Sequence, residues 1–465
     1  MKILFVVPYV PNPIRVRPYE LLRTLVTRGH QITLATLWQS EQERAEIRAL
    51  EALGIHVVAE PLPKSRSLWN SALTLPTRTP LQATYCRQPR LERALYRLVA
   101  EQTFDVAHVE HLRGAHYGLL LRDLSAPSRP LPVIWDSVDC ISHLFAQAAR
   151  QSRSLRGRVM TALELERTRR YEGWLLYQFA QVLVTSNADQ RALVELAERQ
   201  TNKRAQGHRG RQREPAAMPT RPTVLPNGVD LSFFNYSDRS QTPSALPQAE
   251  MPATIVFSGK MSYHANITAA LYLAREIMPL VWAQHPEVRL QIVGKDPSSQ
   301  IRALATVTTG TSQRGVRQIE VTGTVPEMRS YLQQATVAVA PLLYGAGIQN
   351  KILEAMACGT PVVTTSQAAA GTAAQVGRDF LVADSAPQFA AALDTLLNDP
   401  VRRLALGQAG RAYVEAFHSW HAIAAQLETI YSTPVEQLTV PAKYRSAAAG
   451  LIAPVSNISS DIRIG

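Results

Sequence analysis

The stretch "LYGAGIQNKILEAMACGTPVVTT", residues 343–365, joins a glycine-containing turn to a short helical run and then to a strand-like run. Glycines let the backbone approach a ligand closely, and the N–H groups and dipole at a helix start favour an anion such as a diphosphate. The helical run contains a single acid, Glu354, and ends at Cys358-Gly359. This order of elements predicts one repeat of an α/β domain with a ligand site at the start of the helix.

The rest of the chain repeats the same alternation of strands and helices. Strand-length apolar runs such as "KILFVV", "HQITLATLW", "FDVAHVEH" and "LPVIWDSVD" lie in the first half, and "ATIVFSG", "RLQIVGKD" and "TVAVAPL" lie in the second. Apolar runs without strict alternation indicate strands buried on both faces, hence parallel sheets covered by helices. The sequence therefore predicts an α/β fold with two doubly wound, Rossmann-like domains whose strand ends face a cleft.

Composition shifts predict where these domains begin and end. The Pro-, Ser- and Gln-rich stretch "SDRSQTPSALPQAEMP", residues 237–252, has the character of an interdomain linker. We therefore expect an N-terminal domain over residues 1–236 and a second domain over 253–417. A closing helix over 418–433 is expected to pack back toward the first domain, and residues 434–465 are expected to form a flexible tail.

Charge and cysteine content restrict the class of protein. The 465 residues carry a formal net charge of +12 and three separated cysteines, which favours neither a disulfide framework nor a zinc site. The opening "MKILFVVPYVP" is too short for a secretory signal, and a reducing cytoplasm fits best. The basic stretch over residues 199–213 holds six Lys or Arg and no acid; it is either a solvated loop or a contact for an anionic membrane. No nucleic-acid-binding module is visible.

Three motifs together resemble the retaining glycosyltransferases of the GT-B fold known as family 4, or group 1. These motifs are "VLPNGVDLSFF" at residues 224–234, "FSGKMSYHANITAALYL" at 257–273 and "KILEAMACGTPVVTT" at 351–365. The motifs are similar to those of a branch of this family that is associated with exopolysaccharide assembly. The resemblance extends from residue 2 to about residue 431, and it implies a nucleotide diphosphate-sugar donor, no obligatory metal and no other cofactor.

The resemblance implies a donor site on the second domain. Glu354 matches the second acid of the family's Glu-seven-residues-Glu motif, which holds the ribose, whereas Ala346 stands where the first acid is expected. Lys260 matches the cation that neutralises the leaving diphosphate, because a fixed positive charge stabilises that oxygen. The remaining donor-contacting residues are expected around the strand ends and the helix start: Gly259, Gly294, Thr324, Val325, Gly345, Gly347, Ile348, Gln349 and Lys351.

A catalytic histidine is implied at the end of the strand "FDVAHVEH". His108 aligns with the first histidine of the family's pattern, while Glu110 stands where the second is expected and His111 follows. We favour His111 as the residue near the reacting sugar, because it lies closer to the carboxyl end of the strand. A satisfied structural histidine is the alternative.

Other polar residues of the first domain are candidates for acceptor binding. Asp136 and Asp139 end the run "VIWDSVDC", where acceptor contact or a structural cap is expected rather than a metal. Arg15 and Arg17 lie in "PYVPNPIRVRP", where the family usually has glycines. Guanidinium groups there would clamp the donor phosphates or a phosphorylated lipid acceptor.

These observations favour an enzyme that transfers a sugar from a UDP- or GDP-sugar to a hydroxyl of a glycan or lipid-linked acceptor. Synthesis of exopolysaccharide, cell-envelope glycan or glycolipid is the expected context, in the cytoplasm or peripherally on the inner face of the plasma membrane. Two alternatives stay open at this point. One is an epimerase or phosphorylase of the same fold, and the other is a non-catalytic protein that binds polyanions or membranes.

Overall fold

A computed structural model describes residues 1–125, 130–151, 155–179, 181–207, 219–235, 252–305, 319–344 and 348–432. The side chains of residues 147–151, 155–162 and 201–207 are excluded from this description. Within these ranges the chain divides into two compact units. The first comprises Met1–Leu225 and the chain from Ala424 onward, and the second comprises Pro226–Ile423.

The first unit is built on a seven-stranded parallel sheet. Its five central strands are nearly continuous runs of buried residues, as expected where helices cover both faces of a sheet, and its two edge strands are only partly buried. The strand order is β3-β2-β1-β4-β5-β6-β7. The bounds are β1 Lys2–Val7, β2 Gln31–Trp38, β3 His56–Pro61, β4 Val106–Glu110, β5 Val133–Val138, β6 Gln181–Val184 and β7 Thr223–Val224.

Nine helices connect these strands in the described part of the first unit. Local signals set several of their ends: Ser40 accepts a hydrogen bond from the Glu43 N–H at the start of α2, and Pro89 opens α5. The bounds are α1 Val16–Thr27, α2 Glu41–Ala52, α3 Lys64–Thr74, α4 Leu81–Tyr85, α5 Pro89–Glu101, α6 His111–Leu124, α7 Ile141–Gln151, α8 Leu155–Leu175 and α9 Asn187–Gly207.

The second unit has a six-stranded parallel sheet with the strand order β10-β9-β8-β11-β12-β13. Counted within the unit, this is the order 3-2-1-4-5-6 of a dinucleotide-binding Rossmann sheet. The bounds are β8 Thr254–Ser258, β9 Arg289–Val293, β10 Ile319–Gly323, β11 Val337–Ala340, β12 Val362–Thr364 and β13 Leu381–Val382. The predicted pair of doubly wound parallel sheets is therefore confirmed.

The helices of the second unit begin with α10 (His264–Tyr272), which continues through a π-helical turn, Leu273–Ile277, into α11. A capping box between Ser385 and Gln388 starts α16, so its first turn is determined locally. The remaining bounds are α11 Met278–Trp282, α12 Ser299–Leu304, α13 Arg329–Gln334, α14 Asn350–Ala357, α15 Ser366–Ala369, α16 Ala386–Asn398, α17 Pro400–Phe417 and α18 Trp420–Tyr431.

The last helix, α18, begins in the second unit, and its residues from Ala424 onward belong to the first. Glu428 accepts hydrogen bonds from the guanidinium of Arg28 at 2.6 Å and pairs with His30 at 2.8 Å. The Tyr431 hydroxyl lies 2.9 Å from Nδ1 of His108. The C-terminal half of α18 is thus anchored by a charged group and by a buried tyrosine.

Several expected segments differ from the structure or fall outside it. The first unit ends at Leu225 rather than at residue 236, because the chain after β7 joins the second unit: the Val229 N–H donates to the His418 carbonyl at 2.7 Å. The expected linker lies outside the described residues except Pro252, and so do residues 434–465. Of the basic stretch 199–213, residues 199–207 end α9 and the others lie outside.

Strand order determines where each unit has a crevice for a ligand. Successive connections leave a doubly wound sheet in opposite directions on the two sides of its first strand, and ligands bind beyond the carboxyl ends of the strands at that point. The point where the connections reverse direction falls between β1 and β4 in the first unit and between β8 and β11 in the second. Among the described helices, none combines the length and apolar character that crossing a bilayer requires.

Candidate functional site

Three neighbouring strands of the second unit end in glycines that have positive φ angles. Gly259 follows β8, Gly294 follows β9 and Gly323 ends β10, with φ of 145°, 146° and 70°. The Gly294 N–H donates to the Gly323 carbonyl at 3.2 Å. A Cβ on Gly294 would lie 1.7 Å from the Gly259 carbonyl oxygen, so a side chain cannot be accommodated there. The carboxyl edge of this sheet therefore presents closely packed bare backbone.

Lys351, in the first turn of α14, points back to these glycines. Its ammonium donates a hydrogen bond to Asn266 Oδ1 at 2.6 Å and lies 4.7 Å from the centre of the Phe257 ring. A Cβ on Gly259 would come within 3.2 Å of the same nitrogen. The structure thus brings together residues 259, 294 and 351, which the sequence had predicted as donor contacts.

Asn266 is a member of this site that the sequence analysis did not name. Its side chain is 6% exposed, and its Nδ2 donates to the Lys260 carbonyl at 2.9 Å while its Oδ1 accepts from Lys351. It therefore fixes both the loop after β8 and the lysine of α14. The signal was present in the quoted motif "FSGKMSYHAN", but nothing local indicated that its asparagine would reach a residue 85 positions away.

Burial shifts the ionisation of the two charged residues of α14. It lowers the pKa of Lys351 to about 7, against the opposing effect of the Glu354 carboxylate. Burial likewise raises the pKa of Glu354 to about 7, and the Lys351 ammonium counteracts this. Both groups are held partly out of water, where hydrogen bonds to an incoming ligand are stronger than at an open surface.

The other predicted donor residues differ in whether their side chains are exposed or buried. Lys260 is exposed, and its carbonyl accepts the hydrogen bond from Asn266. Thr324 is exposed, whereas Val325 packs partly buried against the core and Ile348 is buried in it. Gln349 precedes the first residue of α14. Gly345 and Gly347 lie outside the described residues, as does Ala346 at the position of the missing acid.

The described residues on either side of positions 345–347 are held by side chains. Before it, the Tyr344 ring stacks on His264 at 5.3 Å between ring centres, and its hydroxyl lies 2.9 Å from Nδ1 of that histidine. After it, Asn350 Oδ1 accepts a hydrogen bond from Asn227 Nδ2 at 3.1 Å. Tyr344 and Asn350, on either side of these positions, are therefore both fixed by hydrogen bonds.

In the first unit the crevice between β1 and β4 contains a buried carboxyl group. Glu110, the last residue of β4, is 1% exposed, and its Oε1 accepts a hydrogen bond from the Tyr9 hydroxyl at 2.6 Å. Its Oε2 has no hydrogen-bond partner among the described residues. Burial, then the nearby charge of Asp136, raises the pKa of Glu110 to about 8, so the carboxyl group is largely protonated at neutral pH.

His111 begins α6 with a φ of 67°, a strained conformation for a residue with a side chain. It is partly buried, its Nδ1 accepts a hydrogen bond from the Arg113 N–H at 3.3 Å, and its ring lies edge-on to Tyr9 at 6.4 Å. Burial, aided by the Arg113 charge, lowers the pKa of His111 to about 3. The imidazole is therefore neutral near pH 7 and suited to hydrogen bonding.

The five acceptor-side candidates all engage in contacts within the protein. His108 is fully buried, stacked on Phe5 at 4.4 Å, with its Nε2 3.4 Å from Asp136 Oδ2. Arg17 donates to the same oxygen through Nε at 2.9 Å and to the Leu225 carbonyl at 3.1 Å. These pairings hold strands together and leave Arg17 and His108 little reach toward a ligand.

Asp139 and Arg15 lie nearer the surface of the first unit. Asp139 accepts a hydrogen bond from the Thr185 hydroxyl at 3.2 Å, and burial together with the charge of Asp189 raises its pKa to about 7. Arg15 pairs with Glu43 at 3.0 Å and lies 4.8 Å from the centre of the Tyr9 ring. Among the described residues, no group of three or more His, Cys, Asp or Glu is arranged to hold a metal ion.

Two solved structures have the same architecture. Sucrose-phosphate synthase from Thermosynechococcus elongatus superposes with a TM-score of 0.59 at 17% identity, covering 92% of this chain and 98% of that one. The Anabaena protein HepE in complex with UDP gives a TM-score of 0.58 at 14% identity, covering 93% of this chain and all of that one. At these identities the likeness establishes the fold alone, and that fold is GT-B, as predicted.

Sequence comparison relates part of the second unit to a known family. Residues 252–399 match the family model described as Glycosyl transferases group 1. A GDP-mannose-dependent phosphatidylinositol monomannoside mannosyltransferase of Corynebacterium glutamicum is 29% identical over 229 residues, 46% of this chain and 58% of that protein. The match thus spans little more than half of that relative's length. The part of the second unit over residues 252–399 is thus similar to the group 1 glycosyltransferases, in agreement with the predicted family, and the match does not specify the exopolysaccharide branch.

Proposed function

We propose that this protein transfers a sugar from a nucleotide diphosphate-sugar to a hydroxyl group of an acceptor, with retained anomeric configuration. The observation that carries the proposal is the position of Lys351. Its ammonium is fixed by Asn266 at 2.6 Å, beside the bare backbone of Gly259 and Gly294, at the point where the sheet order reverses. A cation next to open backbone at that point suits a diphosphate.

The roles of the neighbouring residues follow from their placement. Lys351 binds the diphosphate, and the exposed Lys260 supplies a second cation as charge develops on the leaving oxygen. Glu354, about one turn into α14, accepts hydrogen bonds from the ribose hydroxyls. The glycines let the nucleotide lie directly against the strand ends.

The chemical step is a single substitution. The bond between the anomeric carbon and the diphosphate oxygen breaks, and that oxygen keeps the electron pair. The acceptor oxygen bonds to the same carbon on the same face, and its proton passes to the departing phosphate. His111, neutral at pH 7, is the proposed hydrogen-bonding partner of the reacting sugar in this step.

We also propose the chemical class of the donor and of the acceptor. A UDP- or GDP-sugar is supported by the site and by the printed names of similar proteins, since the Corynebacterium glutamicum relative is GDP-mannose-dependent and the Anabaena structure holds UDP. We propose a glycan or lipid-linked acceptor in exopolysaccharide, cell-envelope or glycolipid synthesis. The relative named for a phosphatidylinositol mannoside supports the lipid-linked option.

Calorimetric titration of UDP and GDP into the full chain tests the donor site. Removing a charge-assisted hydrogen bond costs about 1.5–3 kcal/mol, so Lys351→Met should weaken binding of the preferred nucleotide about ten- to a hundredfold. The control Arg289→Met removes an exposed cation at the opposite, amino-terminal edge of the same sheet and should bind as the wild type. Equal affinity of Lys351→Met and the wild type would refute the site.

Product analysis distinguishes transfer from the other chemistries of the fold. The full chain is incubated with donor, with and without a hydroxyl acceptor, and the products are identified by mass spectrometry. Transfer predicts a glycosylated acceptor and free nucleoside diphosphate, with little sugar released in the absence of acceptor. An epimerised nucleotide-sugar or a sugar phosphate formed with phosphate would overturn the proposal.

A further inference from the structure

Helix α3 of the first unit is turned with its polar side inward. Its buried residues are Ser67, Asn70 and Thr74, whereas Leu68 is 69% exposed and Trp69 and Leu73 are each 58% exposed. Leu75, which follows the helix, is 53% exposed. An amphipathic helix on a globular protein normally buries its apolar stripe, so this one presents to solvent the side that would ordinarily be covered.

Hydrogen bonds hold α3 in this orientation. Asn70 Nδ2 donates to the Arg87 carbonyl at 2.8 Å, and the Thr74 hydroxyl lies 2.7 Å from the Thr84 hydroxyl of α4. Turning the helix to hide its leucines would leave these buried polar groups without partners, at about 1–3 kcal/mol each. The exposure of the apolar side is therefore a property of the packed state rather than of a frayed end.

The exposed apolar residues form one surface. Trp69 and Leu73 are four positions apart on the helix, as are Leu68 and the exposed Ala72, so each pair lies on adjacent turns of one face. We call Leu68, Trp69, Leu73 and Leu75 the α3 face. A contiguous exposed apolar patch of this kind on a water-soluble surface marks a site of interaction.

The segment of chain that contains the α3 face is strongly basic, and Glu164 of α8, which accepts from the nearby Leu81 N–H, is paired with Arg167 at 3.1 Å. Residues 64–97 contain seven Lys or Arg and a single acid, Glu92. Glu92 is 6% exposed, pairs with Arg87 at 3.1 Å and lies 2.8 Å from Nε2 of His116. The exposed charged residues of this segment are all cations: Lys64, Arg78, Arg90, Arg93 and Arg97.

Exposed leucines and a tryptophan in a basic segment of the chain match the chemistry of an anionic bilayer surface. Trp and Leu side chains enter the boundary between headgroups and acyl chains, while each nearby cation adds about 1 kcal/mol of attraction to an anionic leaflet. An apolar and a basic signal together suffice for stable peripheral binding, which either alone does not provide. Charge complementarity thus favours a lipid surface over a second, equally basic copy of this chain.

We propose that the α3 face is a peripheral membrane anchor that inserts Leu68, Trp69, Leu73 and Leu75 into the interface of an anionic bilayer. The anchor lies on the first unit and is independent of the donor site proposed on the second. A failure of nucleotide binding would therefore leave this proposal standing, and the reverse also holds.

Vesicle sedimentation of the full chain tests the anchor without any nucleotide. The expected result is binding to vesicles of phosphatidylcholine with phosphatidylglycerol, and much weaker binding to phosphatidylcholine alone. The triple variant Leu68→Ser/Trp69→Ser/Leu73→Ser should lower the partition coefficient at least tenfold, with its fold checked by circular dichroism. Its matched control is Val401→Ser/Leu404→Ser in α17, which removes two exposed apolar residues next to Arg402 and Arg403 and should bind as the wild type.

A second measurement reports insertion directly. Lipids brominated along the acyl chain quench a tryptophan that reaches them, and Trp69→Phe removes the proposed reporter while it keeps an aromatic anchor. We expect quenching in the wild type, loss of most of it in Trp69→Phe, and retained sedimentation of that variant. Unchanged vesicle binding by the triple variant would overturn the proposal. So would a wild-type dimer that the triple variant converts to a monomer in light scattering, because the face would then be covered by a second copy.

Discussion

The ammonium of Lys351 donates a hydrogen bond to Asn266 Oδ1 at 2.6 Å, which joins the first turn of α14 to the first turn of α10. A lysine held in this way is pre-organised but not strongly charged, because burial lowers its pKa to about 7. A ligand that brings negative charge favours the protonated form, so ligand binding and protonation of Lys351 are coupled.

The first prediction concerns the pH dependence of nucleotide affinity. Because the pKa of free Lys351 is about 7, the affinity for a nucleoside diphosphate should fall as pH rises from 7 to 9. Lys351→Arg keeps its charge throughout this range, so its affinity should change less with pH. Calorimetric titration at several pH values measures both slopes, and a wild-type affinity that stays constant over this range would contradict the prediction.

The second prediction concerns the contact between Gly294 and Gly259. Gly294→Ala introduces a Cβ only 1.7 Å from a carbonyl oxygen, at a φ of 146°, and should lower the thermal midpoint strongly. Gly377→Ala is the control, since its φ is 83° but no atom lies within 4 Å of the added Cβ. Backbone strain alone costs about 1–3 kcal/mol. Gly294→Ala should therefore be clearly the more destabilising of the two, and equal midpoints would argue against the contact.

The third prediction concerns the buried ion pair between Arg17 and Asp136, which are 4% and 0% exposed. Burial raises the pKa of Asp136, but the Arg17 guanidinium beside it outweighs this effect, and the pKa is lowered to about 2. Arg17→Met leaves a buried carboxylate without its cation and should destabilise the first unit by about 3–5 kcal/mol in urea unfolding. Arg17→Met/Asp136→Asn should recover part of that loss.

A surface pair supplies the control for this effect. Arg170 and Glu166 pair at 2.9 Å on α8, with side chains 47% and 44% exposed. Arg170→Met should change the free energy of unfolding by less than about 1 kcal/mol, because water and salt screen an exposed pair. If Arg170→Met destabilised the chain as much as Arg17→Met, burial would not be the cause.

The fourth prediction concerns Glu110 and the pH dependence of stability. Its pKa is about 8 in the folded chain and near 4.5 when unfolded, so between these values the folded state binds the additional proton. The contribution of Glu110 to the free energy of unfolding is fully present below pH 4.5. It should fall by up to about 1.4 kcal/mol per pH unit and be lost as pH passes 8.

Glu110→Gln isolates this effect, because a glutamine stays neutral and its carbonyl can still accept from the Tyr9 hydroxyl. The free energy of unfolding of the wild type minus that of the variant should decrease from pH 5 to pH 8. Chemical denaturation at each pH measures this difference. A difference that is constant with pH would show that the Glu110 carboxyl group does not titrate in this range.

Some site residues were accessible to sequence reasoning because their signal is local. Gly259 and Gly294 each follow an apolar strand, and Lys351 and Glu354 follow a glycine-containing turn, so strand pattern and turn chemistry suffice to single them out. Asn266 and Asn227 were missed because their partners, Lys351 and Asn350, lie 85 and 123 positions away. No local pattern encodes such distant contacts.

The burial of polar groups likewise could not be predicted from the residues near them in the sequence. Arg17 was expected to contact a phosphate, but it lies in the core against Asp136, because the order β1-β4-β5 brings the start of α1 beside the end of β5. His108 was an acceptor-side candidate, yet its ring lies between Phe5 and Tyr431 in the interior. Alternation along one strand shows that a residue is buried but not which charge lies opposite it.

The sequence by itself determined two parallel β-sheets covered by helices and the glycines at their edges, because hydrophobic period and turn residues act over a few positions. Tertiary structure alone decided which lysine is held against the glycines, which carboxyl group remains protonated and which side of α3 faces water. Those outcomes depend on strand order and on how polar groups find partners across the fold. The same reason explains why Lys351 rather than Lys260 is fixed beside Gly259: Asn266 reaches both segments only after the sheet has formed.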